Sequence, residues 1–225
     1  MKNSTIKLLL VILIFNFSSC KQGNGTFSDY QFAEETPLIN CEDADNKLLN
    51  EALYSFENDI ISYFEVQEQN TNRAYRTFLT QAVNKKTDLS KYTSKHSVAL
   101  AAALKNAGFI GDNGVNYNNP IITCLADKMK KGDLATTFNA LVSTNSMRRD
   151  LYAPALRTKI STVSADKYLS MYVALEYFYA DILKIDFTNV DFNRPNYIKP
   201  KPTQPAIKAD LNNAKVDFNK RPRKQ

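Results

Sequence analysis

Residues Tyr168–Leu183 read YLSMYVALEYFYADIL, and Glu176 and Asp181 are the only charged residues in the stretch. A helix that is apolar nearly all round is buried on several sides. The stretch therefore predicts a helix from about Ser164 to about Ile185 at the centre of a bundle.

The chain before it supplies neighbours with one apolar face each. Leu49, Leu53, Phe56, Ile60 and Phe64 recur at steps of three and four, which is helical spacing. Asn40 is the expected cap of that first helix, with Glu42 and Asp43 in its first turn, where the dipole favours negative charge. Ala74, Tyr75, Phe78, Leu79, Ala82 and Val83 mark a second helix. A third is expected from Asp88 to Ala107, stopped by Gly108. Asn119-Pro120 opens a fourth, ending near Gly132. Asp133 is expected to cap a fifth, with Phe138, Leu141 and Val142 inward, and Pro154 to interrupt a sixth. No period-2 run of β-branched residues competes, so the expected class is all-α, a bundle of about six to seven helices over residues 38–185. Ala52, Leu53, Phe56, Asp59 and Ile60 match Ala174, Leu175, Phe178, Asp181 and Ile182 at a constant offset. Amphipathic helices resemble one another, so this weak echo is no proof of duplication.

Charge is unevenly placed. Of 29 Lys/Arg and 23 Asp/Glu, nine and four lie in residues 186–225, and two lysines and no acid lie in 1–19. That leaves 18 basic against 19 acidic side chains in residues 20–185, so the net charge of +6 belongs to the ends and the bundle is near neutral. With one histidine and six glycines in the chain, a multi-histidine metal centre and glycine-rich phosphate cradles are poor readings. No G-x-S-x-G, zinc-hydrolase or Walker pattern is present, and no cofactor is implied.

The N-terminus carries an address. Lys2 and Lys7 precede Leu8–Phe15, an apolar run too short to span a bilayer core, which takes about 20 helical residues. A basic start, a short apolar run and small residues form a secretory signal. Phe17-Ser18-Ser19-Cys20 resembles the lipobox of bacterial lipoproteins, although Phe17 departs from the usual aliphatic residue. The resemblance implies cleavage of residues 1–19, lipidation of Cys20, and a membrane partner held through the lipid. Lys21 resembles outer-membrane sorting, so the implied location is the cell envelope, facing the periplasm. Residues 20–37 then read as lipidated cysteine and flexible tether. The resemblance covers the first 22 residues and does not reach the bundle.

Within the bundle several residue groups invite chemistry. Cys41 and Cys124 are a candidate disulfide in an oxidising envelope, with two separate buried thiols as the alternative. Closing so long a loop stabilises by about 4–5 kcal/mol in the chain-entropy model. Two thiols and one histidine at no motif spacing make no metal site. His96 shares an apolar face with Tyr92, Leu100 and Leu104 and reads as a hydrogen-bonded boundary histidine. Residues 108–119, GFIGDNGVNYNN, fail EF-hand spacing and read as ordinary turns. This loop is nonetheless the first choice for contact with a ligand, with Tyr117 exposed. Arg148, Arg149, Arg157 and Lys159 surround Pro154 and are either solvated helix charges or an anion-holding group. Glu51, Glu57, Asp59, Glu176 and Asp181 are the carboxylates from which an acid/base pair would be drawn.

Residues 186–225 hold five of the eight prolines and a near-repeat, Val190-Asp191-Phe192-Asn193-Arg194-Pro195 and Val216-Asp217-Phe218-Asn219-Lys220-Arg221-Pro222. It reads as a duplicated partner-binding motif, with Phe192 and Phe218 as anchors and Arg194, Lys220 and Arg221 as charge partners. Two other readings stay open: phenylalanines packed back on the bundle, or a plain basic tail. Export and the lack of regularly spaced aromatics argue against a nucleic-acid partner. The leading expectation is a lipid-anchored, helical interaction module. An envelope hydrolase using helix-borne carboxylates on glycan or peptide, and an immunity or accessory lipoprotein, are the alternatives.

Overall fold

The computed structural model describes residues 27–193. They form a mostly helical bundle with one two-stranded hairpin.

Helix α1 spans Asn46–Phe64 and starts at Asp45, whose side chain accepts from the Leu48 N–H. Asn40 is not its cap. That residue gives its carbonyl to Lys128 Nζ at 2.5 Å, and Asp43 takes a positive φ of 57°, so Glu42 and Asp43 precede the helix. Asn70 caps α2, Thr71–Ala82. The single helix expected over 88–107 is divided: a 3₁₀ turn at Leu89–Lys91 precedes α3, Lys95–Asn106, which Ser94 caps through the Ser97 N–H. Gly108 ends α3 at φ 79°. Its N–H goes to the Lys105 carbonyl and that of Phe109 to Leu104, the paired bonds of a Schellman ending that needs a left-handed residue.

The segment after α3 is not all turn. Strands β1, Ile110–Gly111, and β2, Gly114–Val115, pair antiparallel with Ile110 opposite Val115. Asn119 then caps α4, Pro120–Lys128, through the Ile121 N–H. Helix α5, Asp133–Ser143, begins at Asp133 with Gly132 in the cap position. Helix α6, Arg149–Thr158, continues through Pro154 and is not interrupted there. Pro154 is exposed, and its ring removes only the N–H that would have reached Asp150. A 3₁₀ segment, Ile160–Ala165, leads into α7.

Helix α7 is the expected central one. It begins as Lys167–Val173, widens to a π-helical turn over Ala174–Tyr179, and closes with Ala180–Ile182. Asp166 caps it, accepting from the Tyr168 and Leu169 N–H groups. Every residue from Leu169 to Ala180 is buried. Its first turns pack on α4, and the π turn packs on α1 and α3. Two aromatic groups meet on it. Phe178 lies 5.1 Å from Phe56, which lies 5.1 Å from Phe78. Tyr172 lies 4.8 Å from Phe138 and 5.5 Å from Tyr152. The sequence echo acquires a physical partner here, since the matched residues Phe56 and Phe178 pack on each other.

The tether expected over 20–37 is bound to the bundle from Phe27 onward. Asn50 accepts from the Leu38 and Ile39 N–H groups and donates to the Ile39 carbonyl. Tyr54 donates to the Thr36 carbonyl. Cys41 and Cys124 are joined as a disulfide, with their Cα atoms 5.9 Å apart, tying the approach to α1 to α4.

Replacing Phe178 by alanine opens a cavity between α1, α2 and α7 and is expected to cost about 3–5 kcal/mol. Urea denaturation followed by circular dichroism measures this. A loss below about 1 kcal/mol would show that the α1–α7 contact is not central.

Candidate functional site

Two groups of polar residues are buried against the central helices, and one of them borders a surface concavity.

The first lies between α1 and α3 beneath the N-terminal segment. Glu51, 2% exposed, accepts from the Gln31 N–H at 2.5 Å and the Phe32 N–H at 3.0 Å, and meets His96 Nε2 at 2.7 Å. The other ring nitrogen, Nδ1, is 3.7 Å from Asp29. Phe27 and Phe32 cover the imidazole at 5.7 and 6.3 Å between ring centres. One α1 turn below, the Ser55 and Ser97 hydroxyls share a hydrogen bond of 2.7 Å. Asp59 Oδ2 accepts from the Ser94 N–H at 2.9 Å. Burial pushes the Asp59 carboxyl up to about 7, against the downward pull of the Ser94 N–H, the Ser97 and Ser94 hydroxyls and the His96 charge. Tyr179 closes this floor by donating to the Ala52 carbonyl at 2.7 Å.

The geometry explains what sequence spacing misses about His96. It is hydrogen-bonded as expected but buried rather than at the boundary, Tyr92 lies before its helix, and its partner is 45 residues away on another helix. Asp–His–Glu contacts resemble a relay, yet no nucleophile touches the imidazole. The site instead pins residues 27–32 to the bundle.

The second group surrounds the π turn. Glu176 Oε2 accepts from the Tyr117 hydroxyl at 2.7 Å, and burial holds its carboxyl above the usual range. Arg149 donates to Asp181 at 2.7 Å, and its guanidinium lies 4.3 Å from the Tyr177 ring centre. Such stacking is favourable where the cation is partly desolvated. Glu57 is engaged elsewhere, accepting from Tyr75 at 2.9 Å and Lys167 at 2.5 Å.

Tyr117 is therefore not an exposed contact residue. The hairpin turns it inward, and Asn116 and Asn119 hold that geometry by donating to the Gly108 carbonyl at 3.0 and 3.1 Å. Of the four cations near Pro154, Arg148 pairs with Asp150 and Lys159 with Asp133 at the surface. Arg149 turns inward, and Arg157 donates to the Val83 carbonyl at 2.9 Å past the end of α2. Phe192 is half-buried and stacks on Phe187 at 6.1 Å. Cys20, Arg194, Phe218, Lys220 and Arg221 lie outside the described residues.

Two concavities are framed by cations. One, about 330 Å³, lies at the start of α5 among Lys130, Lys131, Asp133, Lys159 and Asp166. The other, about 290 Å³, is lined by Val83, Lys85, Arg149, Asp150, Ala153, Arg157 and Tyr177. Among the described residues no group of three His, Cys, Asp or Glu side chains is placed to hold a metal, and no helix is long and apolar enough to cross a membrane. No family model, curated protein or solved structure matches the chain.

The raised Asp59 carboxyl has a signed consequence. The folded state binds a proton that the unfolded state has released between about pH 4 and 7, so stability falls as pH rises through that window, by roughly 4 kcal/mol if Asp59 acts alone. Glu176 acts in the same direction. Thermal melts at pH 5 and pH 8 should show a higher Tm at pH 5, and Asp59→Asn should flatten the difference. An equal slope in both proteins would exclude Asp59 as its source.

Proposed function

We propose that this chain is a lipid-anchored bacterial envelope protein whose bundle is a binding module rather than a hydrolase. The observation that carries the second half is the occupation of its buried carboxylates. Glu51 is taken up by two backbone N–H groups and His96, Glu57 by Tyr75 and Lys167, and Glu176 by Tyr117, while Asp59 accepts from the Ser94 N–H through Oδ2 and its Oδ1 is buried away from any cleft. A glycosidase-type pair needs two carboxyls several ångströms apart facing a substrate cleft. In the two concavities cations outnumber carboxylates: Lys130, Lys131 and Lys159 stand against Asp133 and Asp166 in one, and Lys85, Arg149 and Arg157 against Asp150 in the other.

The first half rests on Phe17-Ser18-Ser19-Cys20 and the short apolar run before it. With Cys20 acylated and the bundle clasped from Phe27, seven residue steps separate lipid from fold. Fully extended, they reach about 25 Å. The bundle then works close to the bilayer, and the basic sequence after residue 193 is the part proposed to meet a protein or envelope polymer.

Membrane fractionation of the full-length chain and of Cys20→Ala tests the reading, with mass spectrometry of the N-terminal peptide. The wild type should sediment with membranes and carry a diacylglyceryl Cys20, and the variant should be soluble. A wild-type chain that is soluble with a free Cys20 thiol would overturn it.

A further inference from the structure

The concavity beside the π turn carries a feature that the fold does not use. Tyr177 lines it and is fully buried, yet its hydroxyl has no hydrogen-bond partner. Buried hydroxyls are nearly always paired, and an unpaired one costs on the order of 1–3 kcal/mol. The other polar side chains in the same wall are the donors Lys85, Arg149 and Arg157 and one carboxylate, Asp150. Lys85 is exposed, beside the end of α2. Arg157 is exposed and spends one terminal nitrogen on the Val83 carbonyl, and a guanidinium has five N–H donors. Of the carboxyls nearby, Asp150 bonds Arg148, Asp181 bonds Arg149 and Lys184, and Glu176 is buried against the Tyr117 hydroxyl. Lys85 and Arg157 remain as uncompensated cations at the opening. Burial holds the Tyr177 phenol above its ordinary range, so at neutral pH it is an O–H donor.

We propose that this concavity is a binding site for a phosphoryl group, with Arg157 and Lys85 supplying charge and the Tyr177 hydroxyl supplying a buried donor. Two unmatched cations suit a dianion, and the planar fork of arginine matches phosphate oxygens in pairs. The volume of about 290 Å³ leaves room beyond the phosphoryl group, and Val83 and Ala153 give that space an apolar wall. The ligand class is therefore a phosphorylated small molecule or a phosphorylated lipid headgroup. The Tyr177 hydroxyl is buried behind this wall, so its contact with the group requires the exposed Lys85 and Arg157 side chains to move aside. This site does not depend on the anchor, because its residues belong to the bundle alone.

The test is calorimetric titration of the detergent-solubilised full-length protein with inorganic phosphate, with acetate at matched ionic strength as the control. Saturable phosphate binding is expected and acetate binding is not. Arg157→Gln and Lys85→Gln should each weaken phosphate about tenfold, and Tyr177→Phe several-fold. Tyr177→Phe removes an unpaired buried hydroxyl, so its melting temperature should stay level or rise, which separates loss of binding from loss of fold. Competition by glycerol 3-phosphate would assign the site to a soluble molecule, and competition only by phosphatidic acid vesicles to a headgroup. No saturable phosphate binding, or binding unchanged in Arg157→Gln and Tyr177→Phe, would overturn the proposal. Failure here leaves the fractionation result untouched, so the two readings fall separately.

Discussion

A helix covered on every side must settle its polar groups with its neighbours, because water cannot reach them. Helix α7 is under that constraint from Leu169 to Ala180. Ser170 donates to the Val163 carbonyl, Tyr179 to that of Ala52, and Glu176 accepts from Tyr117. Each bond leads to a different element: the 3₁₀ segment before α7, helix α1, and the loop after the hairpin. The polar residues of the central helix thus specify where three surrounding pieces sit, while Phe56, Phe178, Phe138 and Tyr172 supply the apolar packing.

The π turn follows from the same demand. An α-helical register advances each residue by about 100°, and a π turn inserts one residue and resets the faces that follow. The Ala180 N–H accordingly reaches back five residues to Leu175. Around this turn Glu176 meets Tyr117, Tyr177 lies by Arg149, and Phe178 packs into the α1 cluster. π turns recur at functional sites. In this fold the turn places Tyr177, with its unmatched hydroxyl, in the wall of the concavity shared with Arg149 and Arg157.

Much of this was legible from local pattern. The central burial within Tyr168–Leu183, seen from Leu169 to Ala180, the left-handed stop at Gly108 and the Asn119-Pro120 start each depend on a few adjacent residues. Pro154 misleads because a proline breaks a helix by losing a bond and crowding a carbonyl, costs that an exposed, short helix can absorb. Asn40 loses its cap role to Asp45 because the chain makes a turn at Glu42-Asp43, held by the Cys41–Asn46 and Asn40–Lys128 contacts, before it enters the helix. The buried polar groups were readable only as a set of candidates. Nothing in the spacing of Glu51 and His96, or of Tyr117 and Glu176, signals a contact, since both pairs are made by tertiary packing across 45 and 59 residues.

The N-terminal segment shows why periodicity is the wrong probe for some structure. Residues 27–39 have no helical or strand repeat, yet Asn50 and Tyr54 on one face of α1 and Glu51 beside them bond their backbone. The order belongs to the helix that receives the segment, and its signature is written in α1 rather than in the segment itself. Two polar residues, Asn50 and Glu51, sit where a simple amphipathic helix would carry apolar ones or face solvent. The disulfide then joins the next turn of chain to α4. A pull applied ahead of Phe27 is therefore shared between α1 and α4, both of which pack on α7.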